Sequence, residues 1–136
     1  MTEYGKPIPF PDNVTSTFWE ATKDNKLLIQ QCDDCGARQF FPQSYCRNCL
    51  AENLGWIEAT GRGKVYTYTI VNRPPTVRFQ EDVPYVVALI ELEEGVRMMS
   101  NVVGIDPEAV RIDMPVEVVF DEITPAISLP KFKPVR

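Results

Sequence analysis

The chain has 136 residues, 44% of them hydrophobic and 24% charged, and a formal net charge of −5. This length and composition predict one globular domain, or one domain with a small appendage, and the acidic balance argues against a general nucleic-acid binder. The chain contains no histidine, so the side chain that most often serves as a general base is missing.

The first twelve residues hold no apolar segment suited to a signal peptide, and no apolar stretch further on is long enough to cross a membrane. We therefore expect a cytoplasmic protein whose thiols stay reduced. Pro7, Pro9 and Pro11 indicate an extended arm at this end of the chain.

A short helix is predicted for the segment TSTFWEATKDNKLL. Thr17 is the expected N-cap, and Glu20 follows three residues later as in a capping box. The helix is expected to end at residues 24–25. Phe18 and Trp19 are large apolar side chains that must be covered, either by the protein's own core or by a ligand or partner.

All four cysteines lie in two CxxC pairs, formed by Cys32 with Cys35 and by Cys46 with Cys49, with ten residues between the pairs. The flanking segments LLIQQ and RQFFP are typical of the short strands of a zinc ribbon, and Gly36 suits the tight turn after the first pair. Four thiolates close a tetrahedral shell around Zn²⁺ and leave no position for water or substrate, so the pattern predicts a structural site. The alternatives are disulfides, a redox couple, a catalytic metal centre and a rubredoxin-like iron centre.

From Trp56 onward the pattern favours β-structure. Five strands are predicted in about seventy-five residues, with a one-turn helix at DPEAV before the fourth, which is typical of a small Greek-key barrel such as the OB-fold. The predicted strands are GKVYTYTIVN, VPYVVALIEL, VRMMSNVVG, MPVEVVFDEI and ISLPKFKPV. We therefore expect a mainly β protein with an N-terminal arm and helix (1–26), a four-cysteine zinc ribbon (27–55) and a five-stranded OB-fold barrel (56–136).

The strand patterns also predict which residues face the core. Strict alternation in the first barrel strand places Val65, Thr67 and Thr69 on one face and the residues between them on the other. The nearly continuous apolar run at 83–92 indicates a central strand covered on both faces. The prolines of the last strand indicate that it lies at an edge.

The chain resembles a large bacterial and archaeal family through a series of segments that occur in a fixed order. Members of this family combine an N-terminal helix, a rubredoxin-like zinc ribbon and an OB-fold, and were formerly catalogued as a domain of unknown function. The likeness runs from about Thr15 to Pro134 and includes all four cysteines. The segments that carry it are FWEATKDNKLLIQQCDDCGARQFFPQSYCRNC, GRGKVYTYTIVNRPP, DVPYVVALIELEEGVRMMSNVVG, RIDMPVEVVF and LPKFKP.

The resemblance implies a small, non-catalytic subunit that accompanies thiolase-superfamily enzymes or acyl-CoA hydratases. Partners in the family include thiolases, hydroxymethylglutaryl-CoA synthases and side-chain aldolases of steroid breakdown, and the small subunit of benzoylsuccinyl-CoA thiolase is the narrower match. Thiolase chemistry needs a reactive cysteine and a histidine, which the partner would supply. We therefore expect a hetero-oligomer with structural Zn²⁺ in this chain and an acyl-CoA ligand shared with the partner.

Four basic residues and no acidic one lie between residues 60 and 80. In a family that works on acyl-CoA, such residues could pair with the phosphates of coenzyme A. They could equally be solvated, pair with the acidic residues at 81–82 and 93–94, or, for the last two, dock a protein partner. The four residues are Arg62, Lys64, Arg73 and Arg78.

Two rival functions remain open. Tyr66 and Tyr68 lie where an OB-fold stacks bases, so a single-strand nucleic-acid binder is the alternative, although the acidic total argues against it. An independent enzyme would have to rely on carboxylates such as Glu58, Glu91 or Asp121, whose spacing suggests no nucleophile. The sequence therefore favours an accessory subunit without catalytic residues of its own.

Overall fold

The computed structural model describes residue 6 and residues 8–135 of the chain. Pro9 and Pro11 lie in irregular backbone before the first helix, whereas the predicted arm residue Pro7 lies outside the described residues. None of the helices in the described part of the chain combines the length and apolar character needed to span a membrane.

The N-terminal helix α1 spans Ser16–Lys23 and begins differently from the prediction. Its N-cap is Thr15, not Thr17, because the Asp12 carboxylate organises the preceding turn by accepting the amides of Val14 and Thr15 at 2.9 and 2.8 Å. The predicted stop is confirmed: the helix is capped by Asp24, and Asn25 has the left-handed φ of 59° that ends many helices.

Three short antiparallel strands form the ribbon sheet. They are β1 (Leu28–Cys32), β2 (Arg38–Gln39) and β3 (Leu54–Glu58), in the order β2-β1-β3. All five residues of β3 pair with β1, including those after residue 55, where the sequence analysis ended the ribbon domain. The division into a ribbon domain and a barrel domain at that residue stays a prediction.

Five strands close into a barrel, which confirms the predicted mainly β fold with an OB-type barrel. The strand order is β4-β5-β6-β8-β7, and a one-turn 3₁₀ helix at Pro107–Ala109 precedes the fourth barrel strand as expected. The strands are β4 (Arg62–Val71), β5 (Tyr85–Leu92), β6 (Arg97–Val102), β7 (Pro115–Thr124) and β8 (Ile127–Pro134).

The first barrel strand does not alternate strictly. A bulge shifts the register of β4 against β5 between Val65 and Thr67. Val65 is fully buried, Tyr66 and Thr67 are both exposed, and Tyr68 turns back to pack against the core. The predicted faces are therefore wrong beyond Val65, because a bulge inserts one extra residue into the period of two.

Two further strand predictions are wrong for the same reason, the closure of the sheet into a barrel. In β5 only alternate residues, from Val86 to Leu92, are buried, because a barrel strand has the core on one side only. The last strand, β8, is not an edge: it pairs with β7 and also meets β6 in parallel through Val102 and Phe132. The ladder between β8 and β6 contains only this one residue pair, so most backbone amides on that side of β8 are not needed for strand pairing and proline can be accommodated there.

The core is continuous from the helix through the ribbon into the barrel. Phe18 and Trp19 are 1% and 9% exposed and pack edge-to-face with each other, and Phe18 also packs against Phe40. Of the two alternatives that the sequence left open, the protein's own core therefore covers these two side chains. Thr22 ties the helix to the barrel, since its hydroxyl accepts the backbone amide of Ser128 at 3.2 Å.

Candidate metal centre and charged clefts

The four cysteine sulfurs converge on one point. They all lie within 4.8 Å of one another, and the closest pairs, Cys32 with Cys49 and Cys35 with Cys46, are 3.6 Å apart. A disulfide bond would bring two sulfurs to about 2.05 Å, so the thiols are not paired covalently. Each of the closest pairs joins one knuckle to the other, as a shared cation requires.

The two knuckles have the same backbone hydrogen bonds. In the first, the amide of Cys32 donates to Ala37 and the amide of Gly36 donates to Cys32. The second repeats this pattern with Cys46, Ala51 and Leu50 in the corresponding positions. These bonds fold each CxxC into a tight turn that places both of its sulfurs on the same side.

Two buried glutamines hold the loop that leads into the second knuckle. The Gln30 side chain donates to the Gln43 carbonyl and accepts the Gln43 amide, both at 2.8 Å. The Gln39 side chain donates to Gln30 and to the Tyr45 carbonyl, and accepts the Arg47 amide at 2.9 Å. Nothing in the sequence marked these residues, because a strand glutamine is usually exposed.

The cysteine sulfurs differ in the ease of losing a proton. The side-chain amide of Asn48 and the backbone amide of Ala37 donate to Cys35 and lower its pKa to about 6. The Ala51 amide favours the Cys49 thiolate in the same way, but burial and the three neighbouring sulfurs outweigh it and raise the pKa of Cys49 to about 12. Because metal ligation requires thiolates, a cation bound between the sulfurs would favour their charged form.

This geometry fits a tetrahedral Zn²⁺ site. With Zn–S bonds of about 2.3 Å, the sulfurs of a regular tetrahedron lie about 3.8 Å apart, which falls inside the observed range. Four thiolates also fill the shell that zinc prefers in structural sites and leave no open position for substrate. The residues present thus suit a structural ion held by Cys32, Cys35, Cys46 and Cys49.

Arg62 and Lys64 lie in a cleft of mixed charge at one end of the barrel. Lys64 Nζ is 3.7 Å from carboxylate oxygens of both Glu91 and Asp113. The same cleft is also lined by Glu93 and Glu117. Four carboxylates against two cations make a poor environment for a phosphate.

Arg73 and Arg78 lie at the other end of the barrel, in the exposed loop after β4. The ten residues of β4 span roughly 30 Å along the strand between Arg62 and the start of this loop. Within the part of the chain that the structure describes, no ion pair joins either guanidinium to a carboxylate. The four basic residues that the sequence grouped together are thus divided between two distant surfaces.

The residues expected to stack bases are not arranged for it. Tyr68 is half-buried against the core, and the Arg97 guanidinium covers the Tyr66 ring at 3.7 Å from its centroid. Two of the three carboxylates considered for catalysis are in ion pairs: Glu91 pairs with Arg97 at 3.1 Å and Asp121 with Lys131 at 2.8 Å. The third, Glu58, is exposed at the end of β3.

Comparison with known proteins agrees with this architecture. Residues 19–55 match the family model described as the ChsH2 rubredoxin-like zinc ribbon domain, and residues 56–121 match that of the ChsH2 C-terminal OB-fold domain. A chain of the solved Ltp2-ChsH2(DUF35) aldolase superposes with a TM-score of 0.83 and 38% identity, over 93% of this chain and 98% of that one.

Two curated relatives share this region. A probable enoyl-CoA hydratase alpha subunit from Thermomonospora curvata is 41% identical over 90% of this chain, which spans 38% of the length of that relative. A DUF35 domain-containing scaffold protein from Methanocaldococcus jannaschii is 39% identical over 82% of this chain and 80% of its own length. The chain therefore belongs to the DUF35 family, in which a ChsH2-type zinc ribbon is followed by an OB-fold.

Proposed function

We propose that this chain is a non-catalytic accessory subunit of an acyl-CoA-processing enzyme complex. The observation that carries the proposal is the match over 98% of the corresponding chain in the Ltp2-ChsH2(DUF35) aldolase. The names of the two relatives, a scaffold protein and an enoyl-CoA hydratase alpha subunit, support the same role. We propose a thiolase-superfamily enzyme as the partner, with a hydratase or aldolase as the alternative.

The chemistry of the chain supports the absence of catalysis. It has no histidine, and its four cysteines converge on one site. Acyl transfer by a thiolase needs an activated cysteine with a base beside it, and such a pair is lacking here. The reacting groups would therefore be supplied by the partner, and this chain would contribute structure and binding surface.

The zinc ion would make the ribbon rigid enough to serve as a docking platform. A structural Zn²⁺ held by the four cysteines contributes on the order of 10 kcal/mol to the folding of a small domain. The ribbon presents large apolar side chains that its own core does not cover: Phe41, Tyr45 and Leu50 are 38%, 45% and 70% exposed. Exposed aromatic and aliphatic groups on a rigid element suit a protein interface.

Arg73 and Arg78 are the members of the basic segment best placed to lie near coenzyme A or the partner. Both are exposed on one loop and free of carboxylate partners among the described residues. Prolines follow Arg73 directly and restrict that loop, so its ordering on binding costs little entropy. Arg62 and Lys64 suit this role less, because carboxylates surround them.

The proposal is tested with the zinc-loaded chain and a candidate partner enzyme of the thiolase-superfamily, hydratase or aldolase type. We expect the isolated chain to show no thiolysis, hydration or aldol cleavage, and to co-elute with the partner and raise its activity. Arg73→Ala should raise the apparent KM of the complex for its CoA substrate, whereas the matched change Arg62→Ala should not. Turnover by the isolated chain, or tight binding of single-stranded oligonucleotides without any effect on the partner, would refute the accessory role.

A further inference from the structure

Three arginines line a single cleft where the ribbon meets the barrel. Arg38 comes from β2, Arg47 from the second knuckle and Arg97 from the start of β6, so the cleft exists only because the two parts of the chain pack together. Its volume is about 320 Å³, and no carboxylate side chain lines it. In a chain with a net charge of −5, this concentration of positive charge is unusual.

The guanidinium groups retain capacity to bind an anion. Arg47 makes one side-chain hydrogen bond, a long one of 3.4 Å to the Phe41 carbonyl. Arg38 donates to the neutral oxygens of the Gln31 side chain and the Glu94 backbone at 3.2 and 3.3 Å. Neither arginine forms an ion pair with a carboxylate among the described residues.

The third arginine is held in place before any ligand arrives. Arg97 stacks on the Tyr66 ring at 3.7 Å and donates from Nε to Glu91 at 3.1 Å. The bond to Glu91 uses one edge of the guanidinium and leaves the other nitrogen atoms for a second partner. An arginine fixed in this way loses little entropy when it binds an anion.

We infer that the cleft between ribbon and barrel binds a phosphoryl group, and, resting on the proposed function, that this group belongs to coenzyme A. A carboxylate carries one negative charge and can be paired by the two parallel hydrogen bonds of a single arginine. A phosphate monoester carries nearly two negative charges and has three acceptor oxygens. Three arginines therefore match a phosphate better than a carboxylate. The volume lies at the small end of ligand pockets, about 300 Å³ and above, so the cleft would hold the phosphate and leave the acyl chain outside.

Two other clefts lack this character. The cleft around Arg62 contains four carboxylates. The cleft beside Phe79 and Tyr85, at the far end of the barrel, contains two lysines, Lys6 and Lys131, but each is already paired with an aspartate at 2.6 and 2.8 Å. The arginine cleft differs from both because no carboxylate lines it and two of its three guanidinium groups have no acidic partner among the described residues.

The test is calorimetric titration of the full-length zinc-loaded chain with coenzyme A, dephospho-coenzyme A, inorganic pyrophosphate and citrate. We expect Arg47→Gln to weaken the binding of coenzyme A by about tenfold or more, because it removes a charge-assisted contact. Arg47→Lys should give a smaller loss, and the matched change Arg62→Gln, in the cleft lined by carboxylates, should leave the affinity unaltered. The Arg47 variants keep the backbone bond from Arg47 to Gln39, and an unchanged zinc content will show that the knuckle is intact.

The probes also identify the source of the phosphate. Coenzyme A binding more tightly than its dephospho form assigns the cleft to the phosphate monoester, and equal binding assigns it to the pyrophosphate. Binding of inorganic pyrophosphate without coenzyme A would keep the phosphoryl site but remove the link to acyl-CoA. The inference falls if no probe binds at millimolar concentration, if citrate binds as well as the phosphates, or if affinity depends on Arg73 and not on Arg47. In the last case the proposed function survives and only this site is lost.

Discussion

Gly36 and Leu50 occupy the same position in two equivalent knuckles, with left-handed φ angles of 78° and 67°. Each follows a CxxC pair by one residue and donates its amide to the first cysteine of that pair. Glycine adopts this conformation without strain, whereas a leucine pays a steric cost there. The side chain of Leu50 recovers little of that cost within the chain, since it is 70% exposed. A strained, exposed leucine beside a rigid site points to a role outside the monomer.

Leu50→Gly should stabilise the isolated chain and weaken its complex with the partner. The free energy of unfolding should rise by about 0.5–1 kcal/mol. The change removes the steric cost of a left-handed leucine, and the greater chain entropy of glycine in the unfolded state offsets part of that gain. The rise should appear as a higher thermal midpoint at fixed zinc and protein concentration. The matched change is Gly36→Ala, whose added Cβ would meet no atom within 4 Å, so that its expected loss of about 1–2 kcal/mol is purely conformational. A Leu50→Gly variant that is less stable alone, or that binds the partner normally, contradicts this assignment.

Gln30→Met should loosen the second knuckle and lower zinc affinity. The change keeps the side chain's length but leaves the half-buried amide of Gln43 and the buried side chain of Gln39 without their partner. Each unsatisfied buried group costs about 1–3 kcal/mol, and outer-shell changes of this kind lower metal affinity by about 10–100-fold. Competition with a chromophoric chelator measures the effect. Gln31→Met is the control on the same strand, because Gln31 makes a single exposed bond to Arg38; equal losses in both variants would show that the buried network is unimportant.

Removal of the metal should unfold the ribbon before the barrel. The ribbon sheet has three short strands, one of only two residues, whereas the barrel is closed by a complete ring of strand pairs. With a chelator present, amide hydrogen exchange should therefore become fast in β1, β2 and β3 and stay slow in β4 to β8. Cys46→Ser should reproduce this pattern without a chelator and abolish assembly with the partner. An assembled, active complex that contains no zinc would show that the ribbon does not depend on the ion.

The hydroxyl of Thr22 should contribute measurably to the free energy of unfolding, although the group is small. Thr22 is fully buried, donates to the Trp19 carbonyl at 2.6 Å and accepts the Ser128 amide, so it links α1 to the barrel. Thr22→Val preserves the shape but leaves the buried Ser128 amide unpaired, with an expected loss of about 1–3 kcal/mol in the free energy of unfolding. Thr17→Val, at an exposed position on the same helix, should change stability little. Urea unfolding of the two variants decides the matter, and equal midpoints would contradict the prediction.

The fold and the cysteine cluster were predictable because their signals are local. A CxxC pair specifies a knuckle within a few residues, and alternation specifies a strand within a similar window, so the ribbon, the five barrel strands and their order along the chain were confirmed. The helix N-cap was missed by two residues, because Asp12 supplies the organising carboxylate from outside the helix. That error is also local, and is of the size expected for element boundaries.

The features that sequence reasoning missed all depend on contacts between distant segments. The bulge at Tyr66 is visible only in the pairing of β4 with β5, and the closing role of β8 only in its contact with β6. The basic residues at 60–80 looked like one group because they are close in the chain, yet β4 carries them to opposite ends of the barrel. Conversely, Arg38 and Arg97 are 59 residues apart in sequence and line the same cleft. Only the packing of ribbon on barrel brings them together.

The start of α1 should depend on pH through Asp12. Hydrogen bonds from the Thr15 amide, the Thr15 hydroxyl and the Val14 amide favour the charged carboxylate and hold the pKa of Asp12 below its ordinary value of 3.8. A carboxyl whose pKa is lower in the folded protein stabilises it fully above the ordinary value and loses that contribution as the pH falls through the folded pKa.

Asp12→Asn should therefore destabilise the chain at neutral pH and make no difference in strong acid, where the wild-type carboxyl is also neutral. The asparagine oxygen still accepts hydrogen bonds, but a neutral acceptor binds amides less strongly than a carboxylate. The measurement is the thermal midpoint of both proteins at neutral pH and well below pH 3.8, together with the NMR titration of the Asp12 carboxyl. Glu20→Gln, on the exposed side of the same helix, serves as the control for loss of a negative charge. If the difference between wild type and Asp12→Asn persists unchanged in acid, the carboxylate charge does not set the start of the helix.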